Sequence, residues 1–488
     1  MSLTTKLKSA GLWQVFQIVS QIAIQFLYIA VMARLLEKQD FGLIAMASAF
    51  IGLGMVFSTG GMGSALIQRQ DITQKHMNAA FQGSLLLGIT VFIILFLASG
   101  SIAEFYNEPD LELIIKIIGL GVVFNSINSV SRSLLQKSFK FKITANITVL
   151  ITFVSYALGI ALAVLGYGVW SLIMASLSIS ILTAFVMFYY APIKVSLNFH
   201  YKEFRQLFSY GFGIVLLGLN NYLSNGGLNL VLGKIFPLAM LGVFERTYFI
   251  KTLPSQYLGS VLDTIMFPAM SEIQDEEVRL FRMYQYSLGV VNTILMPITL
   301  FLIFFSKEIV LILLGNKWLD AVIPLQIMFM VLPFSASGRM ADAVVRAKGY
   351  VYKNVIRKFI YAIVLISTTA FGAKNYGLTG AAIAVTLSYT FNYCIMLLLV
   401  RDIFKRSIIE IFWQPVLSGV KVSCMVFGLI LIITTALYNW NHESIINFFV
   451  STFFISGCML LVALQKPEFF GVYLQEVLAK ILSKRNLK

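Results

Sequence analysis

Stretches of about 20 apolar residues recur along the whole chain, and this recurrence restricts the possible folds most strongly. A helix of about 20 residues can cross a bilayer, where a segment must satisfy its own backbone hydrogen bonds. Only 12% of the 488 residues are charged, whereas soluble domains carry roughly 25%. We therefore predict an all-α integral membrane protein. About fourteen transmembrane helices are predicted, at 10–33, 41–67, 79–100, 112–131, 143–165, 168–190, 207–232, 238–262, 283–305, 321–345, 355–372, 377–400, 415–437 and 445–464.

The two halves of the chain are weakly similar to each other. At a numbering offset of 200, Ser9, Gly11, Gln21, Gln25, Arg34 and Gly42 meet Ser209, Gly211, Asn221, Asn225, Lys234 and Gly242. At an offset of 211, Lys137, Phe139, Phe141 and Lys142 meet Lys348, Tyr350, Tyr352 and Lys353, and at 209 Tyr167-Gly168 meets Tyr376-Gly377. Such symmetry is typical of transporters built from two bundles around a central site. We predict pseudo-symmetric six-helix lobes at 1–205 and 206–410, and two further helices with a cytoplasmic tail at 411–488.

The net charge of +15 is distributed by membrane topology. If the N-terminus is cytoplasmic, 26 of the 37 Lys and Arg residues fall in cytoplasmic segments, among them Arg346, Lys348, Lys353, Arg357 and Lys358. The outer loop between spans three and four is instead acidic, with Glu104, Glu108, Asp110 and Glu112. This positive-inside bias predicts that both termini are cytoplasmic. The excess charge is explained by topology and by attraction to anionic membrane lipid, so no nucleic-acid partner is predicted.

Polar side chains form one stripe on the first predicted span. Gln14, Gln17, Gln21 and Gln25 follow helical spacing, and Tyr28 extends the row. Amides facing lipid lose hydrogen bonds, so the stripe must face a wet cavity or another helix. We favour a cavity because the seventh span repeats the theme with Asn220, Asn221, Ser224, Asn225 and Asn229.

Several charged residues are predicted to lie within or at the ends of spans. By the helical rise, Arg246 lies ~12 Å and Lys251 ~20 Å below the outer end of its span, which implies a cavity or an ion partner. Arg339, Asp342 and Arg346 share one helical face, a spacing equally compatible with a self-satisfied ion triad. Arg34 and Lys234 occupy equivalent outer positions, as a basic pair at the cavity mouth or as interfacial anchors. Glu245, Asp263 and Asp342 are candidate ion-coupling carboxylates by location.

A cavity richer in Arg and Lys than in acids favours an anion, and the guanidinium fork fits phosphate oxygens. Amides and Tyr hydroxyls alongside suit the many hydroxyls of a sugar. We therefore expect an anionic, sugar-bearing substrate. The sequence contains no P-loop, HExxH or GxSxG motif, and the three histidines are far apart. We predict neither an enzyme nor a metal or cofactor site.

Three short motifs resemble those of the polysaccharide transporters (Wzx-type flippases) of the MOP superfamily, closest to colanic-acid-type exporters. They are Asp40-Phe41-Gly42, the run from Gly61 to Arg69, and the run from Phe267 to Ser271. The resemblance implies a V-shaped pair of six-helix lobes in the bacterial inner membrane. It also implies transport of undecaprenyl-diphosphate-linked oligosaccharide through a cationic central cavity, where Arg246, Lys251 and Arg339 are expected to hold the diphosphate. A polysaccharide polymerase and a chain-length regulator are candidate protein partners.

Three other functions compete with this interpretation. A lipid II flippase has the same helix count and a basic cavity, so the sequence leaves it open. A cation-coupled MATE drug exporter needs a carboxylate in its cavity, and the first span carries no acid before Glu37. A polysaccharide polymerase or ligase needs extended outer loops, whereas the predicted outer loops are short.

Overall fold

The computed structural model describes residues 3–194, 196, 198–438 and 444–465, and the regular secondary structure of these ranges is helical, without a β-strand. The all-α prediction is therefore confirmed. The helices are α1 (Leu3–Leu35), α2 (Lys38–Ser58), α3 (Met62–Gln68), α4 (Gln74–Tyr106), α5 (Asp110–Lys137), α6 (Phe141–Val164), α7 (Val169–Tyr190), α8 (Tyr201–Asn225), α9 (Gly227–Ile235), α10 (Leu238–Glu272), α11 (Glu277–Phe304), α12 (Ser306–Leu313), α13 (Val322–Phe329), α14 (Val331–Ala347), α15 (Val351–Phe404), α16 (Gln414–Tyr438) and α17 (Ser444–Gln465). A 3-10 turn (Asn316–Ala321) precedes α13, and a π-helical turn (Ile409–Trp413) precedes α16.

Ten helical segments of the described ranges are long and apolar enough to cross a membrane, so the chain is a multi-pass membrane protein. Every predicted span falls on one or more helices. The predicted pair 355–372 and 377–400 lies on α15, which Gly377 divides into two arms through its left-handed backbone (φ 59°, ψ −143°). The predicted span 207–232 lies on α8 and α9. The number of membrane crossings, predicted as about fourteen, stays a prediction.

The internal repeat is visible in the backbone. The amide of Leu36 donates to the carbonyl of Met32 (2.9 Å), and that of Phe236 donates to Leu232 (2.8 Å), at the predicted offset of 200. The helices that follow, α2 and α10, begin at Lys38 and Leu238 and so keep the same offset. Gly168 before α7 (φ 51°, ψ −132°) has nearly the conformation of Gly377, at the predicted offset of 209.

The largest predicted offset, 211, is too large by one position. The amide of Ser138 donates to Leu134 (3.0 Å) at the end of α5, and that of Lys348 donates to Val344 (2.9 Å) at the end of α14. The offset between these two turns is 210, whereas the sequence predicted 211. The sequence matched aromatic and basic side chains, but the backbone aligns Phe139 (φ 56°) with Gly349 (φ 76°) in the left-handed position that ends a helix.

Packing divides the chain into two compact units, which we call the first unit (Met1–Glu245) and the second unit (Arg246–Lys488). In the first unit α5 packs against α2, α4 and α7, and α6 packs against α1 and α7. Helices α8 and α9 also belong to this unit: α8 packs on α2, α3 and α4, and α9 packs on α2. In the second unit α11 packs along α14 and α16, and α16 in turn contacts α17. The lobes predicted at 1–205, 206–410 and 411–488 follow the repeat rather than this packing and stay a prediction.

Two equivalent glycines allow a close helix contact inside the first unit. A Cβ atom added to Gly42 of α2 would lie 2.1 Å from the carbonyl oxygen of Leu238. A Cβ atom added to Gly242 of α10 would lie 2.0 Å from the carbonyl oxygen of Lys38. The contact is reciprocal across the offset of 200, as expected for a two-fold relation between the starts of α2 and α10. Any side chain at these two positions requires the helices to separate.

Candidate functional site

Lys251 of α10 is a lysine enclosed by aromatic rings within the second unit. Its side chain is 1% exposed, and its Nζ lies 4.5 Å from the ring centre of Tyr248 and 3.9 Å from that of Tyr389. Tyr361 packs edge-on against Tyr389, with ring centres 5.5 Å apart. Two rings among the described side chains therefore lie within cation–π distance of the ammonium, and their quadrupoles stabilise a desolvated cation.

Asp342 of α14 is the centre of a network of cations. Its carboxylate lies 2.9 Å from Nε of Arg346, 3.5 Å from Nη2 of Arg357 and 3.9 Å from Nζ of Lys358. Asn354 donates an amide hydrogen bond of 2.8 Å to the same carboxylate. This grouping places three cations around one carboxylate and leaves a net positive charge.

Arg357 of α15 is the most enclosed member of this network, with a side chain that is 6% exposed. Its guanidinium donates to the amide oxygen of Asn354 through Nε (3.2 Å) and Nη2 (2.8 Å), and to that of Asn392 through Nη1. The two amide oxygens come from opposite arms of α15. Arg357 therefore ties the two arms of this helix to each other and to α14.

With a cytoplasmic N-terminus, the predicted topology places Arg357 among the cytoplasmic charges. A signal was nevertheless present, since Asn354, Arg357 and Tyr361 follow the spacing i, i+3, i+7 on one predicted helix face. The aromatic enclosure of Lys251 was not foreseen. It depends on Tyr389, which belongs to a different helix and is remote from Lys251 in the sequence.

The other predicted charged residues are distributed as follows. Arg246 and Arg339 are half-buried in the second unit, and the guanidinium carbon of Arg246 lies 5.3 Å from the ring centre of Phe249. Glu245 is half-buried at the end of the first unit. The side chain of Asp263 lies outside the described residues. Of the predicted triad, Asp342 and Arg346 form an ion pair, and cations of α15 join it, which spacing on α14 alone does not reveal.

The glutamines of α1 share one face, as predicted. Gln17 donates to the amide oxygen of Gln21 (3.3 Å), one turn further along. Gln14 is exposed, and Gln17, Gln21 and Gln25 are half-buried. Tyr28 continues the row by stacking on Tyr156, with ring centres 3.8 Å apart. Whether this face lines a wet cavity stays a prediction.

The equivalent helix α8 carries its amides differently from α1. Asn220 is buried, Asn221 is exposed, and the hydroxyl of Ser224 donates to the carbonyl of Asn220 (3.0 Å). The side chain of Asn225 lies outside the described residues. Tyr222, between these amides, donates its hydroxyl to the carbonyl of Ala49 and so fixes α8 against α2.

Arg34 and Lys234 occupy the last turns of α1 and α9. Arg34 donates through Nη1 to the carbonyl of Ala30 (2.7 Å). Lys234 bonds the carbonyl of Phe105 and lies 4.7 Å from the centre of its ring. Both side chains are exposed, and each satisfies a backbone carbonyl near the end of a helix.

Comparison with known proteins gives one family match and several relatives. A family model described as "Polysaccharide biosynthesis protein" matches residues 31–323. The lipopolysaccharide biosynthesis protein WzxC of Escherichia coli (strain K12) is 26% identical over 429 residues, covering 85% of this chain and 86% of that protein. The succinoglycan biosynthesis transport protein ExoT of Rhizobium meliloti (strain 1021) is 22% identical over 310 residues, covering 63% of this chain and 62% of that protein.

Solved structures with a similar fold include two membrane transport proteins. The lipid II flippase MurJ in an inward closed conformation gives a TM-score of 0.72 at 16% identity, covering 98% of this chain and 99% of that chain. An inward-facing multidrug resistance MATE family transporter of the MOP superfamily gives a TM-score of 0.65 at 14% identity, covering 80% of this chain and 98% of that chain. At these identities the likeness shows a shared fold.

Proposed function

Because the chain belongs to the polysaccharide biosynthesis protein family and has the fold of the MOP superfamily, we propose that it is a lipid-linked oligosaccharide flippase. The resemblance seen in the sequence motifs is thereby confirmed at the level of the family. The proposed reaction moves undecaprenyl-diphosphate-linked repeat units from the cytoplasmic to the periplasmic leaflet. The proposed topology has about fourteen crossings, two six-helix lobes, two further helices and both termini in the cytoplasm.

The observation that carries this proposal is the excess of cations over carboxylates around Asp342 and Lys251, among the described side chains of the second unit. Three cations surround Asp342, and the enclosed Lys251 adds a fourth positive charge. Charged residues within spans are costly and are retained where they act on a substrate or an ion. A diphosphate carries the opposite charge, and its oxygens accept paired hydrogen bonds from guanidinium groups.

In the proposed cycle, Arg246 and Arg339 hold the diphosphate, and Lys251 joins them once its aromatic enclosure opens. The glutamines of α1 and the asparagines of α8 contact the hydroxyls of the glycan as it moves. The two lobes alternate between access from one side of the membrane and access from the other. Glu245, Asp263 and Asp342 remain candidates for ion coupling, although the three cations around Asp342 favour a structural role for that carboxylate.

A second candidate function is the transport of lipid II, which also carries a diphosphate. It is supported by the likeness of fold to MurJ over 98% of this chain. The two proposals differ in the glycan and share the lipid carrier. They are separated by supplying purified protein with each lipid-linked substrate and comparing the rates.

The experiment that tests the proposal uses a strain that lacks this chain and makes a surface polysaccharide dependent on it. Arg246→Ala is expected to abolish surface polysaccharide while leaving the protein folded and inserted, because the diphosphate loses a guanidinium partner. Arg279→Ala is a matched control, since its side chain is 66% exposed in an ion pair with Glu276. Normal surface polysaccharide with Arg246→Ala would contradict the assignment.

A further inference from the structure

A cavity of about 420 Å³ lies at the start of α8. It is lined by Tyr201, Lys202, Arg205, Gln206 and Ser209. All five side chains are exposed, and they offer an ammonium, a guanidinium, an amide and two hydroxyls to whatever occupies the cavity. We call this space the α8 basic cavity.

The α8 basic cavity lies on one face of an amphipathic helix. Lys202, Arg205, Gln206 and Ser209 follow the spacing i, i+3, i+4, i+7, which places them together on α8. The opposite face is apolar: Leu207 is buried in a core cluster of the first unit, with Phe204 and Phe208 packed against it. The apolar face therefore holds the start of α8 in place and fixes the direction in which the basic face points.

A third cation is held beside this cavity from another part of the first unit. Arg69, just after α3, donates through Nη1 to the amide oxygen of Gln206 (3.0 Å) and through Nε to the carbonyl of Asp71 (3.0 Å). The carbonyl of Arg69 in turn accepts a hydrogen bond from Lys137, which also bonds Leu66. Arg69 is thus positioned by three separate contacts.

The charge and geometry of the cavity select an anion. Its described lining contains two cations and no carboxylate, and Arg69 adds a third cation through Gln206. Glu203 is near in sequence but lies about 100° around the helix from Lys202. The amino end of a helix also carries a partial positive charge and unpaired amide groups, which favour phosphate. The Arg205 fork and the hydroxyls of Tyr201 and Ser209 supply further donors to phosphoryl oxygens.

The same face of α8 continues from this cavity to Asn220. Lys202 and Asn220 are separated by about five full helical turns, which gives them the same angular position on α8. Gly213 lies between them on this face, and a Cβ atom added there would meet no other atom within 4 Å. Exposed Leu216 lies on this face between Gly213 and Asn220, and Asn220 itself is buried, so the polar part of the face is confined to the cavity.

We propose that the α8 basic cavity is the site where the diphosphate of the lipid-linked substrate first binds. This inference rests on the proposed function, since it assigns the cavity to the same substrate. The shared chemistry is a phosphoryl group on a membrane lipid. An anionic phospholipid headgroup presents that chemistry too, so the experiment has to separate the two sources.

The test measures binding to the purified full-length protein in phosphatidylcholine nanodiscs. The probes are undecaprenyl diphosphate, inorganic pyrophosphate as a competitor, and phosphatidylglycerol. Lys202→Gln with Arg205→Gln is expected to weaken undecaprenyl diphosphate binding at least tenfold, with competition by pyrophosphate in the wild type. Lys140→Gln with Lys142→Gln removes the same charge from another exposed pair and is expected to leave the Kd unchanged.

A second variant keeps the positive charges of the α8 basic cavity and fills its volume. Ser209→Trp fills the cavity from its lining and is expected to weaken binding as strongly as the double glutamine variant. The inference is overturned if both cavity variants bind undecaprenyl diphosphate as the wild type does. It is equally overturned if they lose phosphatidylglycerol binding alone, because the cavity then serves the bulk lipid.

Failure of this inference is distinguishable from failure of the proposed function. If the cavity variants bind normally while the wild type moves the lipid-linked substrate across the bilayer, only the docking assignment is wrong. If the wild type binds undecaprenyl diphosphate through the cavity but moves no substrate, the docking site stands and the flippase proposal is wrong.

Discussion

Replacement of Asp342 by Asn tests whether this carboxylate holds the second unit together. The side chain of Asp342 is 17% exposed and that of Arg357 is 6% exposed, so neutralising the acid leaves an enclosed guanidinium without its anion. Removing one partner of a buried ion pair costs about 3–5 kcal/mol. Arg357 keeps its amide partners, and Arg346 and Lys358 are 32% and 35% exposed. We therefore expect Asp342→Asn to lower the free energy of unfolding by about 3 kcal/mol, near the lower end of that range.

The assay compares sodium dodecyl sulfate denaturation of the wild type and Asp342→Asn in mixed micelles. Asp402→Asn is the matched control, because Asp402 and its partner Arg401 are 61% and 48% exposed. Exposed ion pairs contribute about 0–1 kcal/mol, so the free energy of unfolding of the control variant should change little. Adding Arg357→Met to Asp342→Asn is expected to recover part of the stability, since it removes the stranded charge. Equal stability of Asp342→Asn and Asp402→Asn would refute the reasoning.

Three further predictions concern single positions. Gly42→Ala is expected to destabilise the protein by about 1–3 kcal/mol in the same assay, because the added Cβ meets a backbone carbonyl. Gly428→Ala is the control and should not destabilise the protein, because the space around Gly428 is open. Equal losses of stability in the two variants would contradict the close contact at Gly42. Lys251→Met is expected to abolish surface polysaccharide without loss of stability, because removing the enclosed charge also removes the free-energy cost of its desolvation. The control variant Lys421→Met changes an exposed lysine and should export normally. Normal export by Lys251→Met would contradict a transport role for Lys251. Gln21→Leu is expected to slow export at unchanged stability if the α1 stripe lines a cavity, whereas lost stability would indicate a contact between helices.

Helices and the repeat were predictable because both depend on features that are local in sequence. Apolar runs of about 20 residues located the helices, and the offset of 200 placed Gly42 and Gly242 at the equivalent positions where α2 and α10 meet. The error of one position at the turn after α5 arose because side-chain similarity does not fix backbone register. Phe139 takes there the conformation that Gly349 takes in the second repeat.

The pairing of interior charges was less predictable because it depends on contacts between distant helices. Spacing on α14 correctly placed Arg346 beside Asp342, whereas Arg357 and Asn354 reach this carboxylate from α15. The enclosure of Lys251 likewise requires Tyr389 from the far arm of α15. A single sequence shows that such charges are unusual within spans, but it does not show which residues surround them.

The central claim is that this chain moves a lipid-linked, diphosphate-bearing oligosaccharide across the bilayer. It is tested most directly with purified protein in liposomes that contain undecaprenyl-diphosphate-linked oligosaccharide, by following the amount that a lectin outside can bind. We predict a time-dependent increase that protein-free liposomes and the Arg246→Ala variant do not show. An exposure rate no higher than in protein-free liposomes would contradict the claim.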